Sequence, residues 1–305
     1  MSVRDLIILG CASQQPTRLR NQGGYLLRWN TEGFLFDPGE GTQRQFIFAE
    51  VSPTAVTRIF ISHFHGDHCL GLGSMIMRLN LDGVTRPIHC YFPKSGMAYF
   101  DRLCTGTIFN NRTTIVKHPI SENGVVEEDD NFTIEAAFLD HGVDNIGWRI
   151  TEKNRQRFFK EKLAEKGIRG PNVKELIQKG QIEIDGKITY AKDVSYTQEG
   201  SIFSYVVDTR PCAAAIKLAQ DADLVLCEST YLTAQEDLAH DHYHMTAKQA
   251  ALIAKTAGAK NLVLTHFSAR YLDLEPFVTE AKKEFANVDV ADDFKRFVMP
   301  KRKMH

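Results

Sequence analysis

Four side chains able to bind a metal ion fall within six positions of this sequence, in the segment ISHFHGDH at residues 61–68. They are His63, His65, Asp67 and His68, and three imidazoles with a carboxylate suit zinc and similar divalent ions. A strand-like run precedes the segment and a helix-like run follows it, so the side chains lie on a strand-to-helix loop. A single loop histidine is more often without function, but this cluster indicates a metal site.

Three isolated residues could complete such a site, because each follows an apolar run and opens a loop. They are His141 in FLDHGVDN, Asp208 in YVVDTRPC and His266 in LVLTHFSARY. Taken singly, each is more readily explained as a hydrogen-bonded polar residue at the end of a strand. Four ligands from one loop cannot enclose two metal ions, however, so a two-metal site needs ligands from other strand ends.

The elements that must position these residues alternate between strand and helix. Short apolar or aromatic runs separated by Gly, Pro, Asn and Asp predict strands at residues 6–9, 25–29, 33–36, 58–61, 88–92, 132–138, 203–207, 224–226 and 262–264. Apolar residues at helical spacing predict helices at 70–81 and at 246–257, the second with a Thr cap and a final Gly258. This α/β order is compatible with a four-layer αββα sandwich.

The composition is that of an ordinary globular protein, with 43% hydrophobic and 25% charged residues. We expect one domain over residues 1–305, because large α/β folds often reach this length. Six scattered cysteines without a CxxC pair argue against a disulfide scaffold and favour a reducing, cytoplasmic location. The sequence predicts neither a signal peptide nor a membrane-spanning helix.

One segment carries a local excess of positive charge in a chain whose net charge is only −1. Residues 153–179 contain nine Lys or Arg against three Glu, an excess of six positive charges. Apolar residues are sparse there, and turn-forming RGPN and DG sequences interrupt it. We therefore expect it to protrude from the domain and to supply the local basic patch that nucleic-acid binding would need.

The ordered set of HFHGDH followed by a distant His, then Asp, then His resembles the motifs of the metallo-β-lactamase superfamily over nearly the whole chain. The resemblance implies the αββα fold and two zinc ions per subunit. It also implies that His63, His65 and His141 hold one ion, that Asp67, His68 and His266 hold the second, and that Asp208 bridges the two.

Further segments resemble the ribonuclease Z family within that superfamily. The opening LGCASQQPTRLRN is similar to its LGTxSxxPTxxRN start, and FDPGEGTQRQ is similar to FDCGEGTQxQ, with Pro38 in place of the usual cysteine. CESTY, HDHYHMT and HFSARY resemble three later motifs. The resemblance implies endonucleolytic removal of the 3′ trailer from precursor tRNA, leaving a 3′-hydroxyl, by a homodimeric enzyme.

Catalytic roles follow partly from chemistry and partly from this resemblance. Asp67 is the only carboxylate of the first motif, so it can both bind a metal ion and accept the proton of an attacking water. The leaving oxygen must then be protonated, and the resemblance assigns that step to His244, held by Glu228. Without the resemblance, His244 would be taken for a surface histidine beside His240 and His242.

The resemblance also implies residues that contact the tRNA. Arg18, Arg20 and Asn21, together with Arg270 beside His266, are expected to receive the discriminator nucleotide and its phosphates. Residues 153–193 resemble the flexible arm, or exosite, of the family, although RGPNVKELIQKG lacks the proline that usually precedes its GP. A solvated charged insertion is the simpler alternative for this segment.

Two other functions are compatible with the motifs. One is a phosphodiesterase of the same fold that acts on a small ester, but such an enzyme has no need of a basic arm remote from the metal ions. The other is an RNA-binding subunit that has lost the chemistry. All seven ligand positions carry acceptable residues, which disfavours this alternative.

Overall fold

The computed structural model describes residues 3–299 of the predicted 1–305 domain. Its strands are β1 (Arg4–Gly10), β2 (Gly24–Trp29), β3 (Glu32–Phe36), β4 (Arg58–Phe60), β5 (Ile88–Pro93), β6 (Ile115–Ile120), β7 (Gly124–Glu128), β8 (Phe132–Phe138), β9 (Ile146–Glu152), β10 (Arg155–Phe158), β11 (Gln181–Ile184), β12 (Lys187–Tyr190), β13 (Ser195–Gln198), β14 (Ile202–Val206), β15 (Leu224–Glu228), β16 (Leu262–Thr265), β17 (Val288–Val290) and β18 (Arg296–Val298). Its α-helices are α1 (Thr42–Phe48), α2 (Gly66–Cys69), α3 (Leu72–Leu81), α4 (Met97–Thr105), α5 (Lys160–Glu165), α6 (Pro171–Lys179), α7 (Ala213–Ala219), α8 (Glu236–Asp241), α9 (Ala247–Thr256) and α10 (Glu275–Ala281). Every predicted strand and helix named above has a counterpart here.

Two seven-stranded mixed sheets form the centre of the molecule. The first has the order β18-β1-β2-β3-β4-β5-β6, antiparallel from β18 to β3 and parallel from β3 to β6. The second has the order β17-β16-β15-β14-β9-β8-β7, parallel from β17 to β14 and antiparallel beyond. Because both faces of each sheet are buried, the central strands read as nearly continuous apolar runs.

Aromatic side chains join the two sheets. Phe36 of β3 stacks on Tyr205 of β14 with ring centroids 4.8 Å apart, and Phe60 of β4 meets Trp148 of β9 at 5.0 Å. A separate apolar cluster lies between the first sheet and helices α1, α3 and α4, while α7 and α9 pack on the second sheet. The layers therefore run helix, sheet, sheet, helix, which confirms the predicted four-layer sandwich.

The two predicted helices have well-defined starts. Helix α9 begins after Thr246, whose side chain accepts from the Gln249 backbone N–H while the Gln249 side chain accepts from Thr246 in return. The helix predicted from residue 70 begins only at Leu72, because the chain first makes the short helix α2 and then passes tightly against Gly39. There the Gly71 N–H donates to the Pro38 carbonyl at 2.8 Å, and a Cβ on Gly71 would overlap the Gly39 carbonyl.

The basic segment forms a small substructure of its own. Its stem is the antiparallel pair β10 and β13, and it carries α5, α6 and the hairpin of β11 and β12. The sequence suggested little apolar material, yet six buried side chains form a separate core: Leu163, Ile168, Leu176, Ile182, Ala191 and Val194. The stem runs to Gln198, beyond the predicted boundary at 193.

Among residues 3–299, no helix has the length and apolar composition needed to cross a membrane.

Candidate metal centre

The candidate ligands meet at one edge of the sandwich. His63, His65, Asp67 and His68 lie on the loop between β4 and α3, where α2 gives the chain one tight helical turn. His141 follows β8, Asp208 follows β14 and His266 follows β16. Strands β14 and β16 are both parallel to β15, and β8 runs the same way because β9 is antiparallel to both β8 and β14. The sheet thus delivers these ligands to a common edge.

The first group of ligand atoms comes from His63, His65, His141 and Asp208, all within 4.8 Å of one another. His63 Nε2 lies 2.8 Å from His65 Nδ1, and His141 Nε2 lies 3.3 Å from the same His65 atom. Asp208 Oδ2 lies 3.7 Å from His63 Nε2. Three imidazole nitrogens and a carboxylate oxygen therefore face one small space.

The second group comes from Asp67, His68 and His266, again within 4.8 Å of one another. Asp67 Oδ2 lies 3.3 Å from His68 Nε2 and 3.4 Å from His266 Nε2. Asp208 also contacts this group, with Oδ2 at 3.1 Å from His68 Nε2 and Oδ1 at 3.2 Å from His266 Nδ1. Asp208 thus lies between the two groups.

Two buried atoms of the centre lack a hydrogen bond, although neighbouring ligand atoms lie close to them. Within residues 3–299, these are His68 Nε2 and Asp208 Oδ1. Buried polar atoms in native proteins are nearly always satisfied, so two unsatisfied atoms within one cluster indicate an additional bound group. Imidazole and carboxylate donors fit a divalent metal ion there.

The protonation states of three histidines and both carboxylates fit metal binding. Burial lowers the pKa of His63, His65 and His141, so these side chains are neutral imidazoles, the form that binds metals, at neutral pH. Burial alone would raise the pKa of Asp208, but His266 and His68 hold it well below its usual range. Asp67 has a lowered pKa for a similar reason, because His68 outweighs the effect of burial. Both carboxylates are therefore ionised. Burial would lower the pKa of His68, but Asp208 and Asp67 raise it well above the usual value, so His68 would give up a proton when a metal binds.

Each buried histidine of the centre has a partner on its second ring nitrogen. Nδ1 of His63 lies 3.0 Å from Ser62 Oγ, Nδ1 of His141 lies 3.2 Å from the Tyr243 carbonyl, and Nδ1 of His266 lies 3.1 Å from Thr230 Oγ1. Nδ1 of His68 lies 2.9 Å from Asp37 Oδ2. Such partners fix the ring orientation and leave the other nitrogen free for a metal.

Sequence reasoning gave Asp37 no role, although it lies in the FDPGEG segment singled out above. Its side chain is fully buried and accepts hydrogen bonds from Ser62 N and Ser62 Oγ at 2.6 Å and from Tyr205 Oη at 2.7 Å, besides His68. The signal that could have identified Asp37 is its position, because it is an acidic residue directly after a buried strand. The neighbouring Pro38 is buried, and its carbonyl receives the Gly71 N–H described above.

Left-handed backbone conformations are concentrated around the centre. Four residues of this region have positive φ: Asp37 (43°), Asp208 (50°), Tyr243 (58°) and His266 (60°). Non-glycine residues adopt this region at a cost, and they persist in it where the surrounding structure holds them. The ligand geometry is therefore imposed by the fold rather than by local preference.

His244 lies beside the centre and is buried, in contrast to the surface position expected from its neighbours in sequence. Its Nδ1 is 3.0 Å from Glu228 Oε1. Burial would lower the pKa of His244, but the Glu228 carboxylate raises it to about 9. Glu228 also receives Thr230 Oγ1 at 2.7 Å and Met245 N at 3.2 Å, so its position is fixed on several sides.

The four expected tRNA contacts are placed differently from one another. Arg270 is exposed and lines a cleft of about 360 Å³ that also includes His244, and Arg18 is exposed. Arg20 is buried and donates to the Tyr271 carbonyl, while Asn21 Nδ2 donates to the Glu40 carbonyl at 2.8 Å. Here Arg20 and Asn21 brace their loop, and Arg270 lines the cleft beside His244.

Comparison with known proteins agrees with this geometry. The sequence model of the metallo-beta-lactamase superfamily matches residues 23–159, and that of a beta-lactamase superfamily domain matches residues 190–267. Ribonuclease Z of Protochlamydia amoebophila is 62% identical over 99% of this chain and 98% of its own length. Ribonuclease Z of Chlamydia caviae is 59% identical over the same shares.

Solved structures agree as well. The short form of human tRNase Z superposes with a TM-score of 0.73 at 25% identity, covering 97% of this chain and 99% of that one. YhfI of Bacillus subtilis, a metallo-beta-lactamase fold protein, gives a TM-score of 0.70 at 19% identity, covering the same shares. The latter supports the fold alone. The chain belongs to the ribonuclease Z family of the metallo-β-lactamase superfamily, as the sequence motifs predicted.

Proposed function

We propose that this chain removes the 3′ trailer from precursor tRNA by hydrolysing one phosphodiester bond, leaving a 3′-hydroxyl on the tRNA. The observation that carries the proposal is a cluster of seven side chains able to bind metal ions, adjacent to the His244–Glu228 pair, in a chain 62% identical to a ribonuclease Z. This is metal-dependent endoribonuclease chemistry. The protruding basic arm counts against a small-ester substrate, and the ionised, oriented ligand set counts against a silent subunit.

The centre is proposed to hold two zinc ions per subunit. His63, His65 and His141 would bind one ion, Asp67, His68 and His266 the other, and Asp208 both, as the distances around each group allow. Zinc bound in this way lowers the pKa of a bound water and stabilises charge on the phosphoryl oxygens.

Asp67 is the proposed acceptor of the proton of the attacking water. Its Oδ2 receives the Gln14 backbone N–H at 2.8 Å, which fixes the orientation of the carboxylate. The side chain lines the central cavity of about 500 Å³ together with His65, His141 and His244. Asp67 is thus ionised, held in place and open to the substrate.

His244 is the proposed proton donor to the leaving O3′ of the tRNA. With its pKa raised to about 9, the imidazole is protonated at neutral pH. Its Nδ1 is engaged with Glu228, so Nε2 carries the proton to be given up. Glu228 acts through His244 and is assigned a positioning role.

The arm and the exposed arginines are proposed to hold the tRNA away from the bond that is cut. The arm would bind phosphates by charge, without sequence preference, and Arg18 and Arg270 would bind near the acceptor end. Arg20 and Asn21 would contribute by holding the loop on which they lie in shape. We further propose a homodimer, as the family resemblance implies, and a cytoplasmic location, which the free cysteines and a precursor tRNA substrate both favour.

The proposal is tested with a labelled tRNA precursor bearing a 3′ trailer, with metal content measured on each protein. Wild type should cut directly after the discriminator nucleotide, and Asp67→Ala should not. If wild type carries two metal ions per chain and leaves the precursor intact, the proposed function is wrong.

A further inference from the structure

A second cleft opens beside the metal centre, and none of the roles assigned above uses it. Its volume is about 440 Å³, and its lining comprises Phe64, His65, Ser95, Gly96, Tyr99, Val143 and Asp144. His65 and Val143 also line the central cavity, so the two spaces are adjacent. A group bound at the centre can therefore extend into this cleft.

Two aromatic rings dominate the cleft. The centroids of Phe64 and Tyr99 are 5.9 Å apart with an angle of 33° between the rings. Phe64 is held edge-on against Phe92 at 6.0 Å and lies over Gly96, where any Cβ would overlap its ring. Tyr99 is 54% exposed, so its ring is accessible to a bound group. Exposed aromatic faces along a nucleic-acid path stack bases whatever their identity.

The charges around the cleft favour a base with a phosphate beyond it. The Arg102 guanidinium lies 5.9 Å from the centre of the Tyr99 ring, and no acidic side chain in the described part of the chain pairs with it. Asp144 is exposed at the rim, where a carboxylate can accept from the exocyclic amino group of a base but repels a phosphate. The apolar floor therefore fits the base, and Arg102 fits the next phosphate.

The direction of the RNA through the centre follows from the proposed reaction. Water forms a bond to phosphorus, the bond from phosphorus to O3′ breaks, and the proton from His244 goes to O3′. The phosphate stays on the trailer. The tRNA side of the bond must therefore lie near His244, which shares a cleft with Arg270, while the trailer leaves on another side. The Phe64–Tyr99 cleft touches His65 and not His244, so it lies on the trailer side.

We propose that the cleft of Phe64 and Tyr99 binds the base of the first trailer nucleotide by stacking, with little preference for which base it is. This inference rests on the proposed function and adds the position of the leaving RNA. Phe64 stands between two ligand histidines, so its substitution would disturb the centre. Tyr99 is the residue to test, because it is exposed and is not itself one of the proposed ligands.

The experiment uses two precursor tRNAs that differ only in the first trailer nucleotide, uridine in one and an abasic ribose in the other. Wild type, Tyr99→Ala and Tyr99→Phe are compared by kcat/KM on both. Leu81→Ala, another exposed side chain, serves as the matched surface control. We expect wild type to lose roughly tenfold on the abasic precursor, within the range for one stacked base. Tyr99→Ala should already show this tenfold loss on the uridine precursor and no further loss on the abasic one. Tyr99→Phe and Leu81→Ala should behave as wild type on both precursors.

The remaining outcomes distinguish the stacking proposal from the proposed function. Equal wild-type cleavage of both precursors, or full discrimination retained by Tyr99→Ala, leaves the proposed function standing and overturns the stacking site. Cleavage of neither precursor by wild type overturns both. Thermal unfolding of each variant, expected within a few degrees of wild type, excludes misfolding as the cause of a loss.

Discussion

The Asp37 carboxylate lies 2.9 Å from Nδ1 of His68 and thereby turns Nε2 of that ring toward Asp208. Asp37 follows β3 and His68 follows β4, so two adjacent parallel strands bring the pair together. The same carboxylate receives Tyr205 from the other sheet, which links the ring orientation to the packing of both sheets.

Replacing Asp37 by Asn should weaken metal binding. The amide oxygen keeps an acceptor for Ser62 N, but the amide nitrogen can accept from none of the groups that now contact Oδ2, which are Ser62 Oγ, His68 Nδ1 and Tyr205 Oη. We expect metal affinity to fall about 10–100-fold, as for other partners of metal-binding histidines. Metal content after dialysis against graded chelator measures the change. Asp5→Asn, which breaks a buried pair with Arg28 far from the centre, is the matched control and should keep its metal.

Glu228→Gln should shift the alkaline limb of the pH–rate profile. His244 has a pKa raised to about 9 by the Glu228 charge, so its protonated form is complete at pH 7 and is lost as pH rises through 9. Without that charge the pKa falls, and kcat should begin to decline at a lower pH. His244→Ala should lower kcat by about 10²–10⁴-fold at neutral pH. A Glu228→Gln enzyme whose alkaline limb coincides with that of wild type would contradict the pairing.

Removal of the arm should impair binding much more than chemistry. Asn154 and Gly200 are already joined, with Gly200 N donating to Asn154 Oδ1 at 2.9 Å, so residues 155–198 can be replaced by a short Gly linker. We expect KM for precursor tRNA to rise by about tenfold or more and to depend less on salt, because phosphate contacts are lost. Hydrolysis of bis(p-nitrophenyl) phosphate, too small to reach the arm, is the control and should be unchanged. Equal loss on both substrates would mean that the arm supports the centre itself.

Asp293→Asn should stabilise the protein above neutral pH. Burial raises the pKa of the Asp293 carboxyl to about 6. The Asn21 N–H, which donates to this carboxyl at 2.8 Å, lowers the pKa but does not outweigh burial. The unfolded value is about 4, so the native state loses stability as pH rises through that interval. Asn removes this penalty, and its single oxygen can still accept from Asn21 N and Gln45 Nε2, which both now contact Oδ2.

We expect Asp293→Asn to gain about 1–3 kcal/mol in unfolding free energy at pH 8 and little at pH 4. Urea unfolding at several pH values measures the difference between variant and wild type. A constant loss of stability at every pH would show that the carboxylate is needed as such.

The elements that sequence predicted were those whose signal is local. Strand β16 is buried at every position and ends directly before His266, and α9 carries both its cap and its terminating glycine in sequence. The features that could not be predicted from the sequence depend on contacts between distant segments. Tyr205 is 168 residues from Asp37, and only the packing of the two sheets makes them partners. The arm core likewise arises from side chains spread between Leu163 and Val194, whose sparse spacing shows no helical or strand periodicity.

The pairing of β1 with β18 sets the order of events during synthesis. Asp5 to Ile7 on β1 pair with Arg296 to Val298 on β18, so the first sheet is completed only after residues 296–298 have left the ribosome. His266 also emerges late. A nascent chain therefore carries the loop of His63 to His68 for most of its synthesis before His266 can complete the centre.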